Sequence, residues 1–172
     1  IFSFFYWVLQ KISIKITLNN SSGVVVCSEL AINYLNSKSS KKIKYLIIHG
    51  GLDLKQLNKS FNKYGDDNKI YDACFFGRLH PQKGPVEMIK IWKIVVSFKP
   101  FAKLAIIGNG TEEKKIKTLI SEYNMKKNID LKGYVFGEPK DRILLSSKIM
   151  AHPAIYDTGG MAVCQGMSFG NP

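Results

Sequence analysis

The sequence predicts an α/β protein built on a parallel sheet that is covered by helices on both faces. Short apolar runs of strand length alternate along the chain with segments of helical periodicity, and crossovers of this kind join parallel strands. Several of the apolar runs are continuous rather than alternating, which is typical of strands buried on both faces. With 172 residues and 45% hydrophobic content, the chain has enough apolar material for a core.

The first third of the chain predicts two strands, two helical segments and a linker. Residues 2–16 are a helix or a buried amphipathic segment, and residues 23–27 form a fully buried strand. Ser28 then caps a short helix, and residues 44–48 form a second strand that ends in glycines. Residues 52–67 are polar and predict a linker with room for one helical turn.

A second block starts near residue 69 and repeats the alternation four times. The predicted strands are 70–76, 103–107, 129–133 and 149–153, and the predicted helices are 85–97, 112–123, 140–145 and 160–169. In the first of these helices Val86, Ile89, Ile91 or Trp92, and Val95 face the core. Thr111 is placed to cap the second, whose apolar stripe is Ile116, Leu119 and Ile120.

The net charge of +12 comes almost wholly from lysine, since Arg78 and Arg142 are the two arginines of the sequence. The lysines are dispersed, and no aromatic residues interleave with them as a nucleic-acid stacking platform requires. A solvated surface is therefore favoured and nucleic acid is not expected as a partner. A lysine-rich protein that binds anionic surfaces is a weaker alternative, and peripheral association with a membrane stays open.

The three cysteines, Cys27, Cys74 and Cys164, each lie in an apolar stretch and lack metal-ligand spacing. They predict buried free thiols in a reducing compartment, which suggests a cytoplasmic protein. Neither a signal peptide nor a membrane-spanning run is visible at the apolar N-terminus. The sequence lacks an initiator Met and stops in a helix-ending turn, so a fragment is expected.

The most informative segment is residues 74–84, in which an apolar strand breaks at Gly77 into a short basic loop before a helix. Ligands of parallel sheets sit at the carboxyl ends of strands, where a helix N-terminus favours an anion. Arg78 can grip phosphate oxygens with a planar fork, and Lys83 adds a point charge. Glycine-bearing turns follow two further strands, at Gly108-Asn109-Gly110 and Gly133-Tyr134, and a fourth precedes the last helix at 157–160. Together they predict a phosphate site.

Four motifs in order carry a family resemblance: FFGRLHPQKG (75–84), AKLAIIGNG (102–110), IDLKGYV (129–135) and HPAIYDTGGMAVCQGMSFGNP (152–172). The chain resembles the nucleotide-sugar-binding half of a retaining GT-B glycosyltransferase of the group 1, family four type. The resemblance is strong from residue 74 onward and weaker over 24–57. It implies a Rossmann-like donor domain at 67–172, truncated at its C-terminus, and a remnant of a second Rossmann-like, acceptor-side domain with the interdomain hinge at 1–66.

The resemblance also implies roles for individual residues. Arg78 and Lys83 would hold the donor diphosphate, and Asp157 would lie near the donor sugar as the third catalytic residue. Gly77, Gly108, Asn109 and Gly110 would approach the donor, and Gly133, Tyr134 and Val135 would contact the base. Gly159, Gly160 and Met161 would present N–H groups, and Gln165 would meet the ribose. The donor would be a UDP-, GDP- or ADP-sugar with no metal or other cofactor, and the acceptor a sugar, a lipid-linked group or a protein.

Two positions depart from the family pattern. The usual pair of glutamates eight positions apart is here Asp157 and Gln165. Aspartate keeps the charge, whereas glutamine loses the charge and one hydrogen-bond acceptor, which lowers expected donor affinity by roughly tenfold. The sequence therefore leaves two enzyme-related hypotheses open: an active glycosyltransferase, and a non-catalytic or degenerate nucleotide-sugar-binding module.

Overall fold

A computed structural model of the chain describes residues 2–48, 50–65, 68–157 and 160–172, and it divides into two compact units, 1–51 and 52–172. The second unit begins fifteen residues before the domain boundary predicted from the sequence. Residues 52–67 were expected to form a linker, and this prediction was wrong. Most of this segment is a three-turn helix.

The first unit contains α1 (Phe2–Asn20), β1 (Val24–Val26), α2 (Glu29–Asn36) and β2 (Tyr45–Ile47). The two strands pair in parallel. The prediction of a fully buried first strand was wrong, because Val25 is 62% exposed. A strand is buried on both faces only where other elements pack against each face, and the face of β1 that carries Val25 is exposed. Ser28 is at the N-cap of α2 as predicted, but its side chain makes no capping hydrogen bond.

Helix α1 carries a run of exposed aromatic side chains, Phe4 to Trp7, with 49–71% of each exposed. Lys11 places its ammonium 3.3 Å from the centre of the Trp7 ring, a cation–π contact on the helix surface. Within the described residues no helix is both long and apolar enough to span a lipid bilayer.

The second unit contains one helix before its sheet begins. Helix α3 (Leu54–Tyr64) starts at Asp53, whose carboxylate accepts a hydrogen bond from the Gln56 N–H at 3.1 Å. The side chains of Leu57 and Tyr64 pack against one face of the sheet core. An acidic cap followed three residues later by glutamine is a helix-start signal, and it identifies α3 in the sequence.

The sheet of the second unit has four parallel strands in the order β5-β4-β3-β6. Its strands are β3 (Tyr71–Phe76), β4 (Leu104–Ile107), β5 (Ile129–Gly133) and β6 (Ser147–Met150). Its helices are α4 (Pro85–Phe98), α5 (Glu113–Glu122), α6 (Glu138–Leu145) and α7 (Met161–Ser168), with a 3₁₀ turn at Pro81–Lys83. Helix α5 begins after Glu112, so the predicted cap at Thr111 was wrong.

Two hydrophobic cores cover the two faces of this sheet. Ala73 and Phe75 of β3 point into the larger core, and Cys74 between them points into the other. The same alternation holds along β4, whose four residues are all buried. This confirms a parallel sheet with helices on both faces. In α4, Trp92 is buried and Ile91 is half-exposed, which resolves the alternative left open by the sequence.

The cysteine prediction was wrong for two of the three thiols, because Cys27 and Cys164 are exposed. Cys74 is fully buried in the sheet, and burial raises the pKa of its thiol to about 11. Since the thiolate is the reactive form, Ellman's reagent should modify two thiols quickly in the native protein and the third after denaturation. A fast reaction of three thiols in buffer would contradict the buried position of Cys74.

Candidate active site

The carboxyl ends of the four strands lie at one edge of the sheet, and the turns that follow them are joined to one another. Three backbone hydrogen bonds connect them: Gly77 N–H to the Ile107 carbonyl (3.0 Å), Gly108 N–H to the Gly133 carbonyl (2.8 Å), and Leu79 N–H to the Asn109 carbonyl (2.8 Å). The predicted convergence of the glycine-bearing turns is thus present in the second unit.

Two of the glycines are required by the close approach of these turns. Gly108 has φ of +138°, and a Cβ added there would lie 1.9 Å from the Gly77 carbonyl oxygen. At Gly110 the same atom would lie 2.5 Å from the Leu79 carbonyl oxygen. Both glycines therefore shape the loop that carries Arg78. Because the Gly108 N–H donates to Gly133, it is not available to a ligand in this conformation.

The turn after β5 is more open. Gly133 has φ of +64° with no atom within 4 Å of an added Cβ, and Tyr134 is exposed. Val135 is partly buried against the core that contains Cys74. Gly133 and Tyr134 are therefore the members of the predicted base-contacting set that face open space.

Lys83 meets the loop that leads into α7. Its ammonium lies 2.5 Å from Asp157 Oδ2, and both side chains are mostly buried, with 15% and 22% exposed. The other carboxylate oxygen of Asp157 accepts a hydrogen bond from the Gly160 N–H at 3.1 Å, at the N-cap of α7. A backbone bond from Ile155 N–H to the Gln82 carbonyl (3.0 Å) holds the two segments together. The structure thus brings Lys83, Asp157 and Gly160 together as predicted.

His152 also contacts Asp157, with Nε2 3.0 Å from Oδ2. His152 lies in the segment between β6 and α7. Its other ring nitrogen is buried without a hydrogen-bond partner in the described residues. One carboxylate is therefore held by an ammonium, an imidazole and a backbone amide.

Arg78 follows Gly77 at the same edge and is exposed. Its guanidinium makes no hydrogen bond or ion pair with any part of the chain that the structure describes. The stem of Lys83 passes next to Gly77, since Lys83 Cγ is 3.9 Å from an added Cβ there. Arg78 and the stem of Lys83 therefore both lie next to Gly77. Gly159, which the sequence also assigns to the site, lies outside the described residues.

Gln165 lies one helical turn after Met161 on α7 and contacts a residue that sequence reasoning missed. Lys140 of α6 donates a hydrogen bond to Gln165 Oε1 at 2.7 Å. Lys140 is buried, as is Asp141 beside it. Lys140 lies four residues before the fully buried Leu144, and a lysine on the apolar face of a helix was the available signal.

A different charge cluster occupies the opposite, amino-terminal edge of the sheet. Asp72 lies 2.6 Å from the Lys99 ammonium and 2.8 Å from that of Lys148. Burial by itself would raise the pKa of Asp72, but hydrogen bonds from Lys148, Lys99 and the Lys103 N–H outweigh it and hold the pKa well below its usual range. This cluster lies at the edge of the sheet that is remote from the turns. Substitutions of its lysines therefore serve as controls for the loss of a lysine from the candidate site.

The candidate site falls entirely within residues 53–172, which match the family profile described as "Glycosyl transferases group 1". The match covers well over half of the chain. The chain belongs to this family. The family resemblance stated from the sequence is confirmed at this level, and the glycosyltransferase family assignment is established.

Individual relatives agree with this assignment. Over 64 residues the chain is 38% identical to a poly(glycerol-phosphate) alpha-glucosyltransferase of Bacillus subtilis, an overlap of 37% of this chain and 10% of that protein. The structure of the present chain is similar to that of a TarM variant of S. aureus in complex with fondaparinux, alpha-GlcNAc-glycerol and UDP, with TM-score 0.75 and 20% identity. That similarity covers 95% of this chain and 31% of TarM.

A similarity to WaaG, a glycosyltransferase involved in lipopolysaccharide biosynthesis, has TM-score 0.71 and 13% identity, and covers 91% of this chain and 45% of WaaG. At these identities the solved structures show the fold alone, and they confirm the Rossmann-like α/β architecture of GT-B glycosyltransferases. The chain thus spans less than half the length of each of these relatives.

Proposed function

We propose that this chain carries the nucleotide-sugar donor site of a glycosyltransferase that transfers a sugar to an acceptor with retention of anomeric configuration. The proposal combines family membership with the chemistry of the sheet edge. The donor class is a nucleoside diphosphate sugar. UDP is the first probe, because UDP is present in the TarM complex.

The observation that carries the proposal is the way Asp157 is held. Its carboxylate is bound by the Lys83 ammonium and by the Gly160 N–H at the start of α7. A cation and a backbone amide at a helix start are the groups that bind phosphate in many nucleotide sites. In this structure an internal carboxylate occupies them. A donor diphosphate would replace Asp157 as the partner of Lys83 and would also contact the exposed Arg78.

The chemistry of transfer suits these side chains. As the bond between the sugar and the diphosphate breaks, negative charge grows on the leaving group. Arg78 and Lys83 would neutralise that charge, and stabilisation of this kind lowers a barrier by several kcal/mol. Two cations supply the positive charge without a metal. Once released from Lys83, Asp157 would lie near the sugar and stabilise positive charge at the anomeric carbon.

A ligand screen tests the donor assignment. The unfolding temperature of the chain is measured with UDP-glucose, UDP-N-acetylglucosamine, GDP-mannose and ADP-glucose. A ligand at a hundred times its Kd stabilises a protein by about 2.7 kcal/mol, which for this size corresponds to an increase of roughly 5–10 °C. We expect one donor, or donors with one base, to produce that increase. No increase with any of the four at millimolar concentration would contradict the proposal.

A second candidate function is a module that binds a nucleotide sugar without transferring it. The observation that favours it is Gln165, whose amide oxygen is already engaged by Lys140. Donor turnover by the full-length protein separates the two functions, and NMR of the product reports its anomeric configuration. Binding without turnover would support the non-catalytic module.

A further inference from the structure

Lys140 is a buried cation whose position the proposed transfer chemistry does not explain. It is 9% exposed and lies in the first turn of α6. Its ammonium contacts Gln165 Oε1 (2.7 Å) and Asp141 Oδ1 (3.0 Å), and it lies 5.6 Å from the centre of the Phe76 ring. Phe76 is the last residue of β3, immediately before Gly77 and Arg78. Lys140 is therefore at the same edge of the sheet as the candidate phosphate site.

The ammonium determines the orientation of the Gln165 amide. A lysine ammonium has three donors and no acceptor, so the amide must turn its oxygen toward Lys140. The amide nitrogen then points away from Lys140, and in the described part of the chain it has no hydrogen-bond partner. Gln165 thus presents a hydrogen-bond donor, whereas a glutamate in its place would present an acceptor.

Lys140 is itself paired with a buried carboxylate, that of Asp141. Asp141 is 1% exposed, and its Oδ2 accepts hydrogen bonds from the Ser60 hydroxyl at 2.8 Å and the Gln56 amide at 3.3 Å. Asp141 therefore balances the charge of Lys140 from the side of α3 and α6. The negative charge of this region is supplied at position 141, and position 165 remains neutral.

We propose that Lys140 is a positioning residue that, through Gln165, determines how the site reads the nucleoside of its donor. It fixes the Gln165 NH₂ group as a hydrogen-bond donor toward a hydroxyl oxygen of the ribose. This inference rests on the proposed function, since it concerns the nucleoside of the same donor. It assigns a role to a residue that does not touch the ligand.

The test compares UDP with 2′,3′-dideoxy-UDP by calorimetry, because the second nucleotide lacks both ribose hydroxyls. One hydrogen bond from a neutral amide corresponds to a preference of about threefold to tenfold for UDP. In the Lys140→Met variant the amide is free to rotate, and we expect the preference to fall below twofold. Binding of the dideoxy nucleotide should change by less than twofold.

A double-mutant cycle shows whether Lys140 acts through Gln165. In a Gln165→Ala background, Lys140→Met should have no further effect on the preference. Because Lys140→Met leaves the Asp141 carboxylate buried without its cation, Lys140→Met/Asp141→Asn provides a second variant without either charge. Lys148→Met removes a lysine at the opposite edge and should leave the preference unchanged.

The outcomes separate the inference from the proposed function. If the chain binds UDP and Arg78→Ala weakens that binding, the donor site stands. In that case, an unchanged preference in both Lys140 variants, or an equal loss for the two nucleotides, would overturn the role of Lys140. A wild-type chain that binds both nucleotides equally would also overturn it. A chain that binds no nucleotide would remove the donor site and this inference together.

Discussion

Replacing Lys83 by alanine is expected to weaken UDP binding by ten- to a hundredfold and to have a larger effect than Arg78→Ala. A hydrogen bond to a charged group contributes about 1.5–3 kcal/mol, and each 1.4 kcal/mol is tenfold in affinity. Loss of Lys83 has a second consequence, because it leaves the Asp157 carboxylate without its ammonium partner at the place that the diphosphate would occupy. Isothermal titration calorimetry with UDP measures the affinity of both variants.

The contribution of Asp157 can be separated by a double variant. Asp157→Asn keeps an oxygen that can accept the Gly160 N–H and removes the charge. Lys83→Ala/Asp157→Asn should therefore bind UDP more tightly than Lys83→Ala alone. Lys148→Ala, at the other edge of the sheet, serves as the control for the loss of one lysine. UDP binding that is unchanged in Arg78→Ala or Lys83→Ala would remove the diphosphate assignment.

The sheet of the second unit was predictable because the local signals for strands and helices agree with the arrangement that a parallel sheet requires. Strand β4 is a continuous apolar run, β3 ends in one, and β5 alternates apolar and charged residues; each ends in glycine or just before one. Helix α4 combines a proline at its first position with an apolar stripe, so its start and its buried face follow from the sequence. Parallel strands then require the turns to meet at one edge, which is why the loop that carries Arg78 could be placed there.

Other parts of the fold were missed for identifiable physical reasons. Helix α3 is mostly polar, so composition suggested a linker, although its cap and its apolar spacing mark a helix. Cys164 lies in an apolar stretch, but it falls on the exposed side of α7. A short apolar run does not reveal which face of a helix is covered.

For the candidate site, the sequence predicted which residues lie at the edge of the sheet, but not which of them contact one another. The sequence placed Arg78, Lys83, Asp157 and Gln165 at one edge, but it did not show that Lys83 would bind Asp157. Nor did it show that Lys140 would bind Gln165, since α6 and α7 are joined by a strand and a loop. Contacts between elements depend on the packing of helices against the sheet, which periodicity does not specify.

The second large effect is expected for Gly108→Ala, which should lower both the stability of the fold and its affinity for UDP. An alanine Cβ at this position would lie 1.9 Å from the Gly77 carbonyl oxygen and 2.9 Å from the carbonyl carbon. The φ of +138° is also a region that alanine rarely adopts. Relief of the clash requires the Gly77 backbone to move, and Arg78 moves with it. We expect a loss of at least about 3 kcal/mol, or roughly 6–12 °C in Tm.

Gly133→Ala is the matched control, because it changes a glycine in the neighbouring turn without a steric clash. Gly133 has φ of +64°, and no atom lies within 4 Å of an added Cβ. Only the left-handed backbone conformation is penalised, at about 1–2 kcal/mol. Thermal unfolding of the two variants should therefore show a clearly larger loss for Gly108→Ala. Equal losses would mean that backbone conformation alone explains both glycines, and that the close approach of the Gly77 and Gly108 turns does not hold the loop that carries Arg78 in place.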